Sequence, residues 1–94
     1  MLNQNKLTPK ETKLINGARL YMIRRQKNLT QTQLGNMLGV TFQQVQKYEK
    51  GVNGLTGFRL LQLSNIFNKP MEYFYKPLDQ IGYEGNKTSE NIII

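Results

Sequence analysis

Apolar side chains recur three and four residues apart in successive stretches of the chain, which is the spacing of one face of an α-helix. Four such stretches each follow a threonine whose hydroxyl can cap a helix N-terminus. At three of these starts a glutamate or glutamine stands three residues after the threonine, as in a capping box. A proline opens one further short stretch, PMEYFYK. The pattern predicts an all-α fold of five helices: 8–27, 30–38, 41–50, 56–68 and 70–76.

The apolar positions of these helices define the expected core. One stripe of the first helix repeats at helical spacing and is expected to be buried, with one isoleucine beside it: Leu14, Ala18, Tyr21 and Met22, flanked by Ile15. The later helices are expected to contribute further side chains: Leu34, Leu38, Val45, Tyr48, Leu60, Leu63, Phe67 and Phe74.

The stretch 30–51 places two of the predicted helices about a tight turn. Gly39 stands where the first of them must end, because glycine adopts the left-handed conformation of a helix C-terminus at no steric cost. Thr41 then caps the second. Helix, glycine turn and helix fit within about twenty residues, which is the spacing of a helix-turn-helix.

The helix at 41–50 has two unlike faces. Val45 and Tyr48 fall together on one of them. The other face carries an aromatic residue, two glutamines and a lysine: Phe42, Gln43, Gln46 and Lys47. Glutamine can pair with adenine, lysine can donate to guanine and an apolar group can contact a thymine methyl, so this face suits base edges in a DNA major groove. The alternatives are a merely solvated face and, for Phe42, packing on neighbouring side chains.

Charge is unevenly distributed along the chain, whose 94 residues have a formal net charge of +7. Residues 1–76 hold 12 Lys and Arg against three acids, whereas residues 77–94 hold one Lys against three acids. The basic charge therefore lies in the part predicted to fold. Such a domain favours phosphate backbones first and anionic membrane surfaces second.

Other functions are excluded by what the chain lacks. It has no cysteine and no histidine, which excludes disulfides, thiolate or imidazole metal sites and His- or Cys-based catalysis. The few acids have no spacing that suggests an active site, so we expect no enzyme, no cofactor and no metal. No apolar run reaches the length of a membrane span, and the N-terminus lacks the apolar core of a signal peptide. We therefore expect a cytoplasmic protein without a membrane partner.

Residues 19–75 resemble the Cro/C1-type (XRE-family) helix-turn-helix domain, and are especially similar to a subgroup common in alphaproteobacteria. The most specific signal is the string TFQQVQKYEKG in its helical context. The other matching pieces are Arg24-Arg25, Leu29-Thr30-Gln31, Leu34-Gly35, Leu38-Gly39-Val40, Leu60-Leu61 and the segment 70–75.

The resemblance implies a five-helix, lambda-repressor-like DNA-binding domain over 8–76. Composition predicts a flexible N-terminus at 1–7, which is polar, and a flexible tail at 77–94, which holds Pro77, Gly82, Gly85 and scattered acids. The resemblance also implies an ion pair between Arg24 and Glu49. Contacts to the DNA backbone are expected from residues near the helix starts and the following loop: Thr30, Gln31, Thr41, Lys50 and Asn53.

The sequence departs from the family pattern at two glycines. Gly54 stands where the subgroup often has an arginine expected to contact phosphate, and Gly35 stands where many members have alanine at a close helix crossing. Arg59, in the first turn of the fourth helix, either reaches phosphate or is solvated.

The expected function is a sequence-specific regulator of transcription that binds double-stranded DNA, most simply a repressor acting as a homodimer on a near-palindromic operator. Met71, Tyr73 and Tyr75 are the expected dimer surface, because exposed apolar clusters often mark interfaces; alternatively they only cover the core. Two other functions remain open. One is an antitoxin whose tail binds a toxin protein, and the other is an adaptor whose helix-turn-helix no longer binds DNA.

Overall fold

The computed structural model describes residues 7–77, which form four α-helices followed by a 3-10 helix. The α-helices are α1 (Pro9–Gln26), α2 (Gln31–Leu38), α3 (Phe42–Glu49) and α4 (Gly57–Phe67), and the 3-10 helix is Met71–Tyr75. The all-α class is confirmed for this part of the chain. The expectations placed on 1–6 and 78–94, including the tail that would bind a toxin, lie outside the described residues.

The fifth predicted helix differs from the expectation, because it is a 3-10 helix of five residues rather than an α-helix. Pro70 precedes it in an extended conformation, and the Tyr73 N–H donates to the Pro70 carbonyl over 3.0 Å. Bonds of this i to i+3 type suit a single short turn.

Threonine caps all four α-helices, as the sequence predicts. The four hydroxyls accept from backbone N–H groups three residues later, those of Glu11, Gln33, Gln44 and Arg59. The Glu11 and Gln33 side chains bond back to the cap N–H groups over 2.9 and 2.8 Å, which completes two capping boxes. The third predicted box is incomplete, because the Gln44 side chain donates instead to Asn53 Oδ1 over 3.2 Å.

The core contains every side chain that the later helices were expected to supply, together with two from α1: Leu20, Ile23, Leu34, Leu38, Val45, Tyr48, Leu60, Leu63, Phe67 and Phe74. All four α-helices and the 3-10 helix therefore meet in one cluster. None of the helices within residues 7–77 combines the length and apolar character needed to cross a membrane.

The expected stripe of α1 is wrong, because Leu14 and Tyr21 are 48% and 43% exposed. The helix instead buries a neighbouring face: Asn16, Gly17, Arg19, Leu20, Ile23 and Arg24. Hydrogen bonds to the C-terminal end of the domain explain two of the polar side chains. Asn16 Nδ2 donates to the Phe74 carbonyl, and Arg19 Nε donates to the Lys76 carbonyl over 2.8 Å.

Two glycines let helices approach α3 closely. A β-carbon on Gly17 of α1 would lie 2.7 Å from the Glu49 carbonyl oxygen and closer still to that of Tyr48. A β-carbon on Gly35 of α2 would lie 2.6 Å from the Val40 carbonyl oxygen. Gly17 thus holds the end of α3 against α1, and Gly35 holds the turn before α3 against α2, which is the close approach expected at Gly35.

Candidate nucleic-acid interface

Three polar side chains join the ends of α1, α2 and α3, and we call them the ion-pair cluster: Arg24, Gln31 and Glu49. Arg24 Nε lies 2.6 Å from Glu49 Oε2, and its Nη2 donates to Oε1 over 3.1 Å. Gln31 Nε2 donates to the same Oε1 over 3.0 Å. The Arg24 and Glu49 side chains are only 8% and 4% exposed, so the ion pair implied by the resemblance is present and buried.

This cluster holds the end of α3 in place. Arg24 Nη1 also donates to the Leu29 carbonyl over 2.8 Å, so the guanidinium bridges the segment before α2 and the last residue of α3. A buried pair with such bonds fixes geometry more reliably than it adds stability, because desolvation offsets much of the Coulomb attraction.

The expected base-reading face of α3 is exposed. Val45 is fully buried and Tyr48 is 9% exposed, so the helix is anchored on the side facing the core. The four predicted base-contacting side chains are exposed on the other side, and Phe42 is 45% exposed: Phe42, Gln43, Gln46 and Lys47. The geometry leaves this row of donors, acceptors and one apolar ring accessible to a ligand.

The predicted DNA-backbone residues lie at the start of α2 and at the two ends of α3. They differ in how exposed their side chains are and in whether those side chains are already hydrogen-bonded. Thr30 and Thr41 are exposed, and their hydroxyls accept the capping bonds. Lys50 and Asn53 are exposed after the end of α3. Gln31 is half-buried, and its side-chain amide is already bonded to Glu49.

The loop after α3 is held by bonds that the sequence did not reveal. The Asn53 N–H donates to the Lys47 carbonyl over 3.3 Å, while its side-chain oxygen accepts from Gln44. A β-carbon on Gly54 would lie 3.5 Å from the Cγ and Cε atoms of Lys13. Thus α1 brings a lysine stem against the loop position where the subgroup often has arginine.

Arg59 fits neither expected role. Its Nη1 donates to the Leu38 carbonyl over 2.8 Å and to Gln62 Oε1 over 2.7 Å. The guanidinium therefore bonds a carbonyl at the C-terminus of α2, a position that the helix dipole also favours. The sequence alone could not predict this role, because only the folded structure places Arg59 opposite the last turn of α2.

Of the three side chains expected at a dimer surface, Tyr75 is exposed whereas Met71 and Tyr73 are half-buried against the core. The Tyr73 ring packs edge-on against Phe74 at 5.1 Å between centroids, and the Arg19 Cζ atom lies 4.9 Å from the Tyr73 centroid. Sequence reasoning missed a more exposed apolar pair on α4: Phe58 at 67% and Leu61 at 49%.

The electrostatic balance of the described part is strongly positive, with 11 Lys and Arg against three acids in residues 7–77. Glu49 is neutralised by Arg24, and Glu11 belongs to the α1 cap. Over the same residues no group of three His, Cys, Asp or Glu side chains could hold a metal ion. The excess of positive charge suits a polyanion, which many separate basic side chains can bind.

Fold and exposed face together define a helix-turn-helix domain. The family model described as Helix-turn-helix matches residues 20–74. The chain belongs to the Cro/C1-type (XRE) helix-turn-helix family.

The chain is similar to proteins from several organisms. An uncharacterized HTH-type transcriptional regulator of Sinorhizobium fredii is 44% identical over 79 residues, 83% of this chain and 55% of the relative. One from Sinorhizobium medicae is 40% identical over 73 residues, 78% of this chain and 52% of the relative. One from Rickettsia conorii is 34% identical over 64 residues, 68% of this chain and 51% of the relative. The chain spans about half the length of the curated relatives it matches.

Proposed function

We propose that the protein is a sequence-specific regulator of transcription that binds double-stranded DNA, and that it represses by occupying an operator as a homodimer. The observation that carries the proposal is the two-sidedness of α3. Val45, Tyr48 and the ion-pair cluster hold the helix on one side, while four side chains suited to base edges stand exposed on the other. The names of the relatives, which are transcriptional regulators, support the same function.

In this proposal α3 enters the major groove and its exposed side chains select the site. Gln43 and Lys47 read base edges, Gln46 assists, and Phe42 contacts a thymine methyl. Contacts to phosphate set affinity and register but carry no direct sequence information. They come from the residues that surround α3: Thr30, Gln31, Thr41, Lys50 and Asn53.

Homodimerisation would align two copies of α3 with two half-sites about one DNA turn apart. We assign the contact to Met71, Tyr73 and Tyr75. Tyr75 is the exposed member of this set, and Met71 and Tyr73 are half-buried beside it. Repression then needs no chemistry, because a bound dimer excludes other proteins from the operator.

Selection of bound sequences from a random DNA pool tests the function directly. The expected result is enrichment of one half-site, present twice with two-fold symmetry. Affinity for the selected DNA should fall steeply with salt, because each neutralised phosphate releases counterions. A pool that shows no enrichment, or an affinity that is flat between low and moderate salt, would contradict the proposal.

A further inference from the structure

Tyr21 is an exposed aromatic residue of α1 that lies close to two guanidinium groups. The Cζ atoms of Arg24 and Arg25 lie 5.5 and 5.4 Å from the centroid of its ring. Arg25 Nη1 also donates to the Tyr21 hydroxyl. The Arg25 guanidinium is therefore held by a cation–π contact and by a hydrogen bond before any ligand arrives, which lowers the entropy cost of binding.

The two arginines are in opposite electrostatic states. Arg24 is 7% exposed, its charge is neutralised by Glu49, and its Nε, Nη1 and Nη2 atoms all donate within the domain. Arg25 is exposed, and it makes no salt bridge with a carboxylate within residues 7–77. The fixed planar donors of an uncompensated guanidinium match the geometry of a phosphate.

The position of Tyr21 places this pair beside the proposed DNA surface. Its neighbour Arg24 belongs to the ion-pair cluster, which contains the first residue of α2 and the last residue of α3. Gly17, one helical turn before Tyr21, packs on the backbone at the end of α3. Arg25 itself is in the last turn of α1 and only five residues before Thr30, the N-cap of α2, whose free amides and dipole favour a phosphate.

We infer that Tyr21 and Arg25 form a phosphate-binding site on α1 that contacts the backbone of the DNA bound by α3. Arg25 donates to the phosphate oxygens, and the Tyr21 hydroxyl, which accepts from Arg25, donates its own proton to the same phosphate. The inference rests on the proposed function and adds a contact outside the helix-turn-helix. It differs from a structural role, since a cation at the end of α1 that only complements the helix dipole would affect stability and not DNA binding.

The test compares two charge removals on the same helix, using the full chain and DNA that the unaltered protein selects from a random pool. The dissociation constant is measured against salt concentration for the unaltered protein, Arg25→Gln and Lys10→Gln. Lys10 is exposed in the first turn of α1, about 22 Å along the helix axis from Arg25. Both substitutions lower the net charge by one, so the long-range electrostatic attraction to DNA is weakened equally in the two variants.

We expect Arg25→Gln to reduce the slope of log affinity against log salt by about 0.9, the value for one lost phosphate contact, and Lys10→Gln to leave the slope unchanged. Arg25→Gln should bind about tenfold more weakly, since a charge-assisted hydrogen bond contributes on that order. The loss should be the same for every half-site variant. Tyr21→Phe keeps the ring and removes only the hydroxyl, so it should cause a smaller loss in the same direction.

Equal slopes for Arg25→Gln and Lys10→Gln would overturn the inference and leave the proposed function standing. A changed base preference in Arg25→Gln would also overturn it, because a phosphate contact does not discriminate among bases. If the unaltered protein bound no DNA from the pool, the proposed function and this inference would both fall. Thermal unfolding of each variant shows that a loss of binding comes from a folded protein.

Discussion

α1 and α3 pack against each other through a close backbone contact, yet α1 buries more polar side chains than α3 does. α3 buries apolar groups and exposes glutamines and a lysine. α1 buries two arginines and an asparagine and leaves a leucine and a tyrosine half exposed. Each of those buried polar groups of α1 bonds another part of the domain, whereas the exposed polar groups of α3 face outward. α1 therefore organises the fold, and α3 is left available for a ligand.

The largest expected effect is the loss of the buried pair that links the two helices. Arg24→Ala leaves Glu49 buried and charged without its cation, which typically costs about 3–5 kcal/mol. The free energy of unfolding, measured by denaturant titration, should fall by that amount. Arg25→Ala, one residue away, should cost only about 1 kcal/mol or less, because it removes an exposed contact with Tyr21 and leaves no buried charge unpaired.

A double substitution sharpens this prediction. Arg24→Leu combined with Glu49→Leu should be less destabilising than Arg24→Ala alone, since no unpaired charge remains. If Arg24→Ala and Arg25→Ala lowered the free energy of unfolding equally, α1 would not organise the fold through the pair of Arg24 and Glu49.

The backbone contact between α1 and α3 gives the next largest effect. Gly17→Ala places a β-carbon 2.7 Å from the Glu49 carbonyl oxygen, so backbone must shift. We expect a loss of about 1–3 kcal/mol in unfolding free energy, as for other overpacked sites. The matched control is Gly57→Ala in the first turn of α4, where a β-carbon meets nothing within 4 Å. It should gain up to about 1 kcal/mol, because alanine lowers the conformational entropy of the unfolded chain, and a gain at both glycines would contradict the close contact.

The features of α3 could be predicted from the sequence more fully than the buried face of α1. The caps and the two faces of α3 depend on neighbouring residues, so pattern alone identified them. The buried face of α1 depends on acceptors 58 and 57 residues away along the chain, at the carbonyls of Phe74 and Lys76. Hydropathy takes no account of such partners and selected Leu14 and Tyr21 instead.

The ion pair between Arg24 and Glu49 was predicted from the family resemblance. The sequence pattern could not predict it, because the spacing of the two residues does not indicate that they are in contact. The useful signal that was overlooked is Gly17, a glycine inside a helix, which often marks a close approach of backbone. The role of Arg59 needed the packed helices, because its carbonyl partner lies on α2. The contact between Tyr21 and Arg25 was open to prediction, because residues four apart on one helix are neighbours.

On α3 the expected effects are on DNA binding rather than on stability. Lys47→Ala removes an exposed side chain, so unfolding free energy should change by less than about 0.5 kcal/mol. Binding to selected DNA should lose about 1–3 kcal/mol of preference at one base position. Gln31→Ala should instead weaken all sites alike and lower stability somewhat, because its amide also bonds Glu49. Competition with half-sites altered one position at a time separates the two, and a uniform loss in Lys47→Ala would remove it from base reading.

The smallest expected effect distinguishes the starts of α2 and α3. Gln33 completes a capping box by bonding the Thr30 N–H, whereas Gln44 turns away to Asn53 and leaves the Thr41 N–H outside the box. Gln33→Ala should cost about 0.5–1.5 kcal/mol of unfolding free energy, the usual value of one hydrogen bond. Gln44→Ala should cost less, because its bond joins two side chains and satisfies no backbone N–H, whereas the bond of Gln33 satisfies that of Thr30. The identical substitution cancels the difference in helix propensity, so thermal unfolding of the two variants compares the bonds alone. A larger loss at Gln44 would mean that the start of α3 is closed by its own side chain and not left open for a phosphate.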